Sequence, residues 1–227
     1  MVAHRGLSGI EKENTNSAFV AAGNRSYFGI ETDIHSTRDG DFVVMHDDNM
    51  NRVAGEDIEV ERVALSRIQQ VVLFDKDGTR DRLDLRAPTL ANYISICKKY
   101  EKHAVLELKS DFSDAQISDI IDIIRSYDYL ENLTFISFNY ENLKRVRRIL
   151  PSQSVQFLFK EITDELVERL KADRFDIDIF YKSLTKENID LFHSLGMKVN
   201  CWTVDIPEDA ERLAEWGVDF ITSNILE

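Results

Sequence analysis

The fold is decided by residues 103–139, HAVLELKSDFSDAQISDIIDIIRSYDYLENLTFISFN, which contain two predicted strands with a predicted helix between them. The runs HAVLELK and LTFISFN are rich in β-branched, aromatic and aliphatic residues, a composition typical of strands. Starting at Ile117, four isoleucines recur at the helical spacing i, i+3, i+4, i+7. Ser113 and Gln116 form a capping-box pattern at the start of that helix. The stretch therefore predicts one strand-helix-strand unit.

The same alternation extends over most of the chain. Toward the C-terminus, predicted helices end at Gly196 and Gly217, where a glycine lets the chain turn into the next strand. Near the N-terminus, the helical run NSAFVAAGNR (16–25) separates two more strands. The further strand candidates are MVAHRG (1–6), GIETDIHST (29–37), SVQFLFK (154–160), FDIDIFYKSL (175–184), KVNCWTV (198–204) and VDFITSNI (218–225). Eight strands alternating with helices predict an α/β protein with a closed (β/α)8 TIM barrel.

Residues 48–87 break this alternation, because they are charged and show little periodicity. They lie between DFVVMHD (41–47) and the helix in PTLANYISICKKY (88–100). We interpret them as a small insertion after the second strand region, within a single domain over residues 1–227. The sequence stops just after the eighth strand, so either the barrel is open there or another segment covers that strand.

The composition is that of a globular protein with an excess of negative charge. The 227 residues include 41 acidic and 28 basic side chains, for a formal net charge of -13. Such a charge disfavours nucleic acid as a partner. No apolar run approaches the roughly 20 residues that span a bilayer, and the N-terminus lacks the features of a signal peptide, so we expect a cytoplasmic protein without a transmembrane segment. Cys97 and Cys201 lack a metal-site spacing and are expected to be buried free thiols.

Acidic side chains occupy alternate positions of two predicted strands. Glu31 and Asp33 share one face of GIETDIHST, and Glu107 shares a face of HAVLELK with Lys109. In a barrel, polar side chains at the carboxyl ends of strands meet on the face where active sites form. Three carboxylates there would repel one another unless a cation joined them, and oxygen ligands suit Mg²⁺, Ca²⁺ or Mn²⁺. The alternative is a set of salt bridges, for which the candidate partners are Lys109, Arg5 and Arg38.

Two of the five histidines stand at strand ends beside charged neighbours, namely His4 in AHRG and His46 in MHDD. Two imidazoles near one metal can serve as base and acid, because their unperturbed pKa lies near neutral pH. His35 follows the acidic pair on the same strand face, and either lies at the rim of the site or fills space as a partly exposed residue. His103 and His193 are expected to be surface or core residues.

Arg5 and Lys109 are the positive charges best placed to meet an anionic substrate. Arginine offers a planar fork to phosphate oxygens, whereas lysine supplies a compact charge. Gly6 follows Arg5 and is expected to let the chain turn close to the ligand. Together with a divalent cation, these side chains predict an electrophilic clamp on a phosphodiester.

An ordered set of motifs resembles the glycerophosphodiester phosphodiesterase family from residue 3 to about residue 204. Each motif is weak alone, but the set in this order is highly specific. The motifs are HRG (4–6), ENT (13–15), ETDIHSTRDG (31–40), VVMHDD (43–48), PTL (88–90), LELK (106–109), ISFN (136–139) and WTV (202–204).

The resemblance implies a barrel with a small insertion and a metal-dependent hydrolase. Glycerophosphodiesters such as glycerophosphocholine or glycerophosphoethanolamine would be cleaved to glycerol 3-phosphate and an alcohol. His4 and His46 would perform acid-base chemistry, and Arg5 and Lys109 would hold the phosphate. The implied cofactor is one divalent cation, Mg²⁺ or Ca²⁺ with Mn²⁺ as a further candidate. Its implied ligands are Glu31, Asp33 and Glu107.

Three further residues match family motif positions and are expected at the substrate. Trp202 would wall the glycerol or head-group side, and Phe138 and Asn14 stand in the motifs ISFN and ENT. A buried core indole is the alternative for Trp202. Capping of the following helix is the alternative for Asn14.

Two departures from the family pattern fall outside the expected ligands. The strand-eight ending is FITSNILE (220–227), where the family has a glycine-isoleucine run with TD and proline, and Ala91 and Asn92 replace the acid that often follows PTL. We expect them to alter the rim of the site. The sequence leaves open the preferred head group, the choice between Mg²⁺ and Ca²⁺, the oligomeric state, and which histidine acts as acid.

Three rival functions make different demands on the molecule. A phosphodiesterase acting on lysophospholipid head groups needs an apolar track for the acyl chain, and residues 48–87 show no continuous one. A non-catalytic phosphate-binding barrel would not need both His4 and His46. A metal-dependent lyase or aldolase barrel would leave Arg5 beside His4 unexplained.

Overall fold

Eight parallel strands form a closed barrel in the computed structural model, which describes residues 1–227. Strand β1 (Val2–Ala3) pairs in parallel with both β2 (Gly29–Ser36) and the last strand, β9 (Phe220–Ser223), which closes the ring. The predicted (β/α)8 TIM barrel is therefore confirmed, and the open alternative is wrong. A short antiparallel strand, β3 (Phe42–Val44), extends from β2. The eight barrel strands are β1 (Val2–Ala3), β2 (Gly29–Ser36), β4 (His103–Leu108), β5 (Leu133–Ser137), β6 (Ser154–Phe159), β7 (Asp176–Phe180), β8 (Val199–Trp202) and β9 (Phe220–Ser223).

Nine α-helices connect or flank these strands. Six of them, α1 and α5 to α9, each join one barrel strand to the next, and α4 leads from the insertion into β4. The residues after β9 pack against the loop after β1, where the Gly9 amide donates to the Asn224 carbonyl at 2.7 Å. The helices are α1 (Asn16–Gly23), α2 (Asn51–Ala54), α3 (Leu65–Gln69), α4 (Leu90–Lys99), α5 (Asp114–Ser126), α6 (Tyr140–Ile149), α7 (Asp164–Asp173), α8 (Lys186–Ser194) and α9 (Pro207–Glu215).

Strand alternation sorts the side chains into two cores. Outward-facing residues such as Ile177 and Ile179 join a cluster of 44 buried hydrophobic residues between the barrel and its helices. The isoleucines of α5 lie in the same cluster, and Ser113 caps that helix through the predicted capping box. Inside the barrel, a small cluster of Val2, Val105, Ile136 and Leu158 leaves the carboxyl ends of the strands to polar side chains.

The insertion at 48–87 has a hydrophobic core of its own, which its sequence did not reveal. Helices α2 and α3 contribute buried Val53 and Ile68 to a cluster of 12 residues. Val43 of β3 and Met45 just after it belong to this cluster, so the insertion packs directly onto the end of the β2–β3 hairpin. Irregular segments lack a fixed period, and their buried positions therefore escape a search for periodicity.

The expectations about two glycines and the two cysteines are confirmed. Gly196 and Gly217 adopt φ of 78° and 91° after α8 and α9, the left-handed conformation that a glycine tolerates best. Cys97 and Cys201 are free and buried. No helix combines the length and the apolar character needed to cross a membrane.

Candidate active site

Three carboxylates meet at the carboxyl ends of two neighbouring strands. Glu31 and Asp33 lie on β2, and Glu107 lies on β4 as the register partner of Asp33. All three are buried, and one oxygen of each lies within 4.8 Å of one oxygen of the others. The alternation of the sequence predicted this juxtaposition, because residues two apart on a strand share a face and parallel neighbours stay in register.

Two cationic side chains partly balance the three carboxylates. The Lys109 ammonium lies 3.0 Å from Glu107 and 3.7 Å from Asp33. The Arg5 Nε lies 3.5 Å from Asp33, while Arg38 is exposed and takes no part. The salt bridges foreseen as the alternative are thus present, but they leave one carboxylate without a cationic partner.

The electrostatics of the trio favour a further cation. Burial raises the pKa of Glu31 well above its usual range, and the charges of Asp33 and Glu107 add to the effect. Burial and Asp33 likewise raise the pKa of Glu107 to about 8. Burial alone would also raise the pKa of Asp33, yet the charges of Arg5 and His46 lower it. An oxygen-only donor set with an excess of negative charge fits a divalent cation such as Mg²⁺ or Ca²⁺.

A strained turn after β1 brings Arg5 onto the trio. Arg5 has φ of 53°, a left-handed conformation that is uncommon for a side chain of this size, and its amide donates to Glu31 Oε2 at 2.7 Å. Gly6 follows with φ of 76°. A Cβ on Gly6 would lie 2.7 Å from Ala18 of α1. The glycine therefore lets the chain turn, as expected, and its missing Cβ also permits the close approach of α1.

His4 is held by a chain of hydrogen bonds that fixes its proton. Its Nδ1 lies 2.7 Å from Asn224 Oδ1. The Asn224 amide nitrogen donates to Asp205 at 2.6 Å, so the oxygen of Asn224 must face the imidazole. His4 Nδ1 consequently donates, which leaves Nε2 with a lone pair. Burial and the neighbouring Arg5 charge lower the pKa of His4 to about 4, so His4 is neutral at pH 7.

His46 has a carboxylate behind it instead of an amide. Its Nδ1 lies 2.7 Å from Asp47 Oδ1, and Asp47 in turn accepts from Arg52 at 2.7 Å. Burial lowers the pKa of His46, although the charge of Asp33 opposes this. His35 supports the same segment, with its Nε2 3.3 Å from the His46 carbonyl oxygen. His35 is buried, so both its placement at the rim and its interpretation as partly exposed are wrong.

His4 and Arg5 stand between two open spaces. One is a narrow cavity of about 60 Å³, and the other is an open groove of about 440 Å³. The cavity is lined by both histidines, two of the three carboxylates and a mixed set of other side chains: His4, Arg5, Glu31, His46, Glu107, Ile136, Phe138, Leu158, Asp178, Trp202 and Thr222. The groove is lined by His4, Arg5, Ser8, Gly9, Glu13, Lys76, Asp205, Asn224 and Ile225.

An aromatic pair forms one wall of the narrow cavity. Phe138 is 46% exposed and meets Trp202 edge-on, with ring centroids 5.7 Å apart. The Trp202 indole N–H donates to the Asp178 carbonyl at 3.3 Å, which fixes the ring. Trp202 is half-buried and faces the cavity, so the alternative of a core indole is wrong.

Asn14 lies behind the carboxylates and not on the cavity. Its amide donates to Asp33 Oδ2 at 2.8 Å, and its carbonyl oxygen accepts from the Thr32 hydroxyl at 2.7 Å. Thr15 caps α1 in its place, so the capping alternative for Asn14 is wrong. Asn14 is placed to hold one carboxylate of the trio in a fixed orientation.

Sequence reasoning missed three residues of the site. Asp47 and Asn224 orient the two histidines, and Asp178 lines the narrow cavity from β7. The alternating acids of FDIDIF were a signal for Asp178, because an acid between isoleucines on a strand faces the barrel interior. His103 and His193 contact Thr134 and Asp219 and line neither the cavity nor the groove, as expected for structural residues.

The barrel and its centre define a class of protein. A closed (β/α)8 barrel carries buried carboxylates, two oriented histidines and two cations at the carboxyl ends of its strands, a centre suited to an anionic substrate. The model of the glycerophosphoryl diester phosphodiesterase family matches residues 4–226. The chain therefore belongs to this family and is a phosphoric diester hydrolase.

Individual relatives cover nearly the whole chain. A glycerophosphodiester phosphodiesterase of Caldanaerobacter subterraneus subsp. tengcongensis is 28% identical over 227 residues, covering 99% of this chain and 93% of its own. One of Bacillus subtilis is 27% identical over 244 residues, covering 98% and 82%. Among solved structures, a glycerophosphodiester phosphodiesterase from Parabacteroides distasonis has a TM-score of 0.81 at 27% identity, covering 98% and 91%. An Oleispira antarctica phosphodiesterase in complex with the product sn-glycerol-3-phosphate has a TM-score of 0.90 at 24% identity, covering 98% and 92%.

Proposed function

We propose that the protein hydrolyses glycerophosphodiesters, such as glycerophosphocholine or glycerophosphoethanolamine, to glycerol 3-phosphate and an alcohol, in a reaction that requires a divalent cation. The observation that carries the proposal is that two oriented histidines and two members of the buried carboxylate trio line one narrow cavity. His4 and His46 are the acid-base pair, and Arg5 and Lys109 bind the phosphate.

The cation would be held by the trio. Glu31, Asp33 and Glu107 supply hard oxygen ligands, which suit Mg²⁺ or Ca²⁺. When bound, a divalent cation neutralises phosphate charge and polarises the phosphoryl group. Asn14 keeps Asp33 oriented through its amide hydrogen bond. Arg5 and Lys109 already border the trio, so a phosphate that entered there would meet positive charge on two sides.

The two open spaces suit the two groups that a phosphodiester joins. The narrow cavity of about 60 Å³ suits a small unit of fixed size, and Phe138 and Trp202 offer it an apolar wall. The groove of about 440 Å³ is polar and open, which suits an alcohol of variable size. We therefore place the glycerol unit in the cavity and the head group in the groove, with the phosphate between them at His4 and Arg5.

Each histidine exchanges its proton through the nitrogen that its orienting partner leaves free. Asn224 and Asp47 hold the Nδ1 atoms, so Nε2 is the reactive atom of both rings. In the first step, one imidazole accepts the proton of the glycerol 2-hydroxyl as it attacks phosphorus, and the other protonates the leaving alkoxide. In the second step the roles are exchanged, and water opens the cyclic phosphate.

A panel of glycerophosphodiesters, assayed after chelation and after add-back of Mg²⁺, Ca²⁺ or Mn²⁺, tests the proposal. We expect glycerol 3-phosphate to be released with a cation and release to stop after chelation. Release that survives chelation would contradict the cation requirement. The absence of release from every member, with every cation, would contradict the proposed substrate class and favour a non-catalytic barrel.

The cavity dimensions disfavour a lysophospholipid substrate. An acyl chain needs a continuous apolar track, but the groove contains one hydrophobic lining residue, Ile225. The apolar part of the narrow cavity is enclosed within about 60 Å³. Glycerophosphocholine and lysophosphatidylcholine assayed side by side separate the two functions, and we expect only the first to be cleaved.

A further inference from the structure

A buried carboxyl group in the narrow cavity has no partner in the protein. Asp178 on β7 is 2% exposed, and its Oδ1 is buried without a hydrogen bond. Ile177 and Ile179 on either side of it face the outer core, so the Asp178 side chain points into the barrel, where it lines the cavity. A buried polar group without a hydrogen bond is destabilising, which calls for a ligand or a function to explain it.

The neighbours of Asp178 do not supply that partner. Ile136 and Leu158 line the same part of the cavity and are apolar. The Thr222 hydroxyl is engaged by donating to Asn200 at 3.2 Å. The positive charges of the site, Arg5 and Lys109, are paired with other carboxylates.

The depth of Asp178 sets it apart from the residues that handle the phosphate. It lies two residues before Phe180, whose register partner is Trp202 at the aromatic wall. Two residues along a strand correspond to about 6.6 Å. Asp178 thus lies one layer deeper in the barrel than the aromatic wall. A carboxyl group accepts a hydrogen bond from a hydroxyl in either protonation state.

We propose that Asp178 binds the terminal hydroxyl of the glycerol unit and thereby selects glyceryl phosphodiesters. This inference rests on the proposed function, which places glycerol in the narrow cavity. The 2-hydroxyl lies next to phosphorus at the histidines, so the hydroxyl that reaches the cavity floor is the one farthest from the phosphate. A substrate acylated at that hydroxyl has no donor for Asp178 and no room beside it, which excludes lysophospholipids.

Two substrates distinguish recognition of the terminal hydroxyl from a general effect of Asp178 on activity. Glycerophosphoethanolamine carries the terminal hydroxyl, and the phosphoethanolamine diester of propane-1,2-diol lacks it but keeps the attacking 2-hydroxyl. We expect the wild type to prefer the glyceryl substrate by about 10- to 100-fold in kcat/KM, because the deoxy substrate leaves the buried Asp178 carboxyl without a hydrogen-bond partner. In Asp178→Ala, kcat/KM for the glyceryl substrate should fall by that factor and that for the deoxy substrate should change by less than about threefold.

The matched control is Asp176→Asn on the same strand. Asp176 is the first residue of β7, two residues farther from the aromatic wall than Asp178, and it lines neither the cavity nor the groove. It accepts from the Lys198 amide at 2.8 Å, so its substitution should leave the preference unchanged. Both Asp178→Ala and Asp178→Leu, whose side chain is similar in size to aspartate but forms no hydrogen bond, should unfold at or above the wild-type Tm, because an unpartnered buried carboxyl destabilises the fold. If Asp178→Ala does not fold, Asp178→Leu decides, and we expect its preference to be reduced at least threefold.

Several results would overturn the inference while the proposed function stands. These are a wild type that cleaves both diesters equally, a variant that keeps the full preference, and a variant that loses activity equally on both. A wild type that cleaves neither diester with any cation would instead refute the proposed function, and the inference with it.

Discussion

Asn224 is the hydrogen-bond partner that decides which nitrogen of His4 carries the proton. In Asn224→Asp, a carboxylate would replace the amide beside the imidazole, and an opposite charge within hydrogen-bond distance favours the protonated ring. We expect the pKa of His4 to rise from its depressed value of about 4, by roughly 1 to 2, in an NMR titration of the imidazole protons. The limb of the pH-rate profile that His4 controls should move to higher pH with it, namely the acid limb where His4 is the base and the alkaline limb where it is the acid.

The control for this substitution is Asn24→Asp at the exposed end of α1, which adds the same charge far from the barrel mouth. It should leave the titration of His4 unchanged. A His4 pKa that is the same in Asn224→Asp and in the wild type would show that Asn224 does not set the protonation of this ring.

For single residues, the sequence predicted the site residues that lie on strands but not the contacts between residues that are far apart in the chain. Glu31, Asp33 and Glu107 were accessible because alternation along a strand decides which face a side chain takes. The contact between His4 and Asn224 joins residues 220 positions apart, and no local pattern encodes it. The alternating pattern of FDIDIF indicates that Asp178 faces the barrel interior, but no pattern in the sequence shows that its neighbours there are apolar or already paired.

Among elements, the insertion is joined to the segment between β1 and α1 by one acidic residue. Glu13, in the loop before α1, accepts from Arg5 at 2.8 Å and from Arg52 of α2 at 2.7 Å. Arg52 also donates to Asp47, the partner of His46. This network joins the segments that carry both histidines, so the insertion helps to hold the active site together.

Glu13→Gln should weaken the fold in a way that depends on pH. Burial alone would raise the pKa of Glu13, but hydrogen bonds and charge from Arg52 and Arg5 lower it to about 2. A depressed carboxylate pKa stabilises the fold above the unfolded-state pKa of about 4.5, and this contribution is lost as the pH falls toward 2. At pH 7 we expect a loss on the order of 1 to 2 kcal/mol, or about 2 to 8 °C in Tm.

The pH series provides the check. The Tm difference between the wild type and Glu13→Gln should shrink as the pH falls from about 5 toward 2. Glu131→Gln, at an exposed position in the turn before β5, should show no difference at any pH. A difference that stays constant with pH would mean that the ionised carboxylate of Glu13 contributes nothing.

At the scale of elements, the sequence predicted the regular part of the molecule. Strand and helix periods recur along the barrel, and Gly196 and Gly217 mark helix ends through their left-handed backbones. The core of the insertion was missed because Val53, Ile68 and their neighbours come from short helices and irregular turns without a common period. Residues 48–87 are rich in charged side chains, and the few hydrophobic residues that form their core are not distinguishable among them in the sequence.

For the whole molecule, cation binding should raise the free energy of unfolding and therefore the Tm. A ligand that binds only the folded state at about 100 times its Kd stabilises it by about 2.7 kcal/mol, or about 5 to 11 °C in Tm for a chain of this length. We expect thermal unfolding of the chelated protein to shift upward by that order with Mg²⁺ or Ca²⁺. Glu31→Gln should lose most of the shift, and Glu131→Gln should keep it. Equal shifts in both variants would exclude the trio as the cation site.

The central claim is that His4 and His46 together drive cation-dependent hydrolysis of a glycerophosphodiester. It is tested most directly by the release of glycerol 3-phosphate from glycerophosphoethanolamine, measured with folded, cation-loaded wild type, His4→Ala and His46→Ala. We predict that each substitution lowers kcat by about 10²-fold or more while the cation-induced shift in Tm is retained. Turnover by either variant within a few-fold of the wild type would contradict the claim.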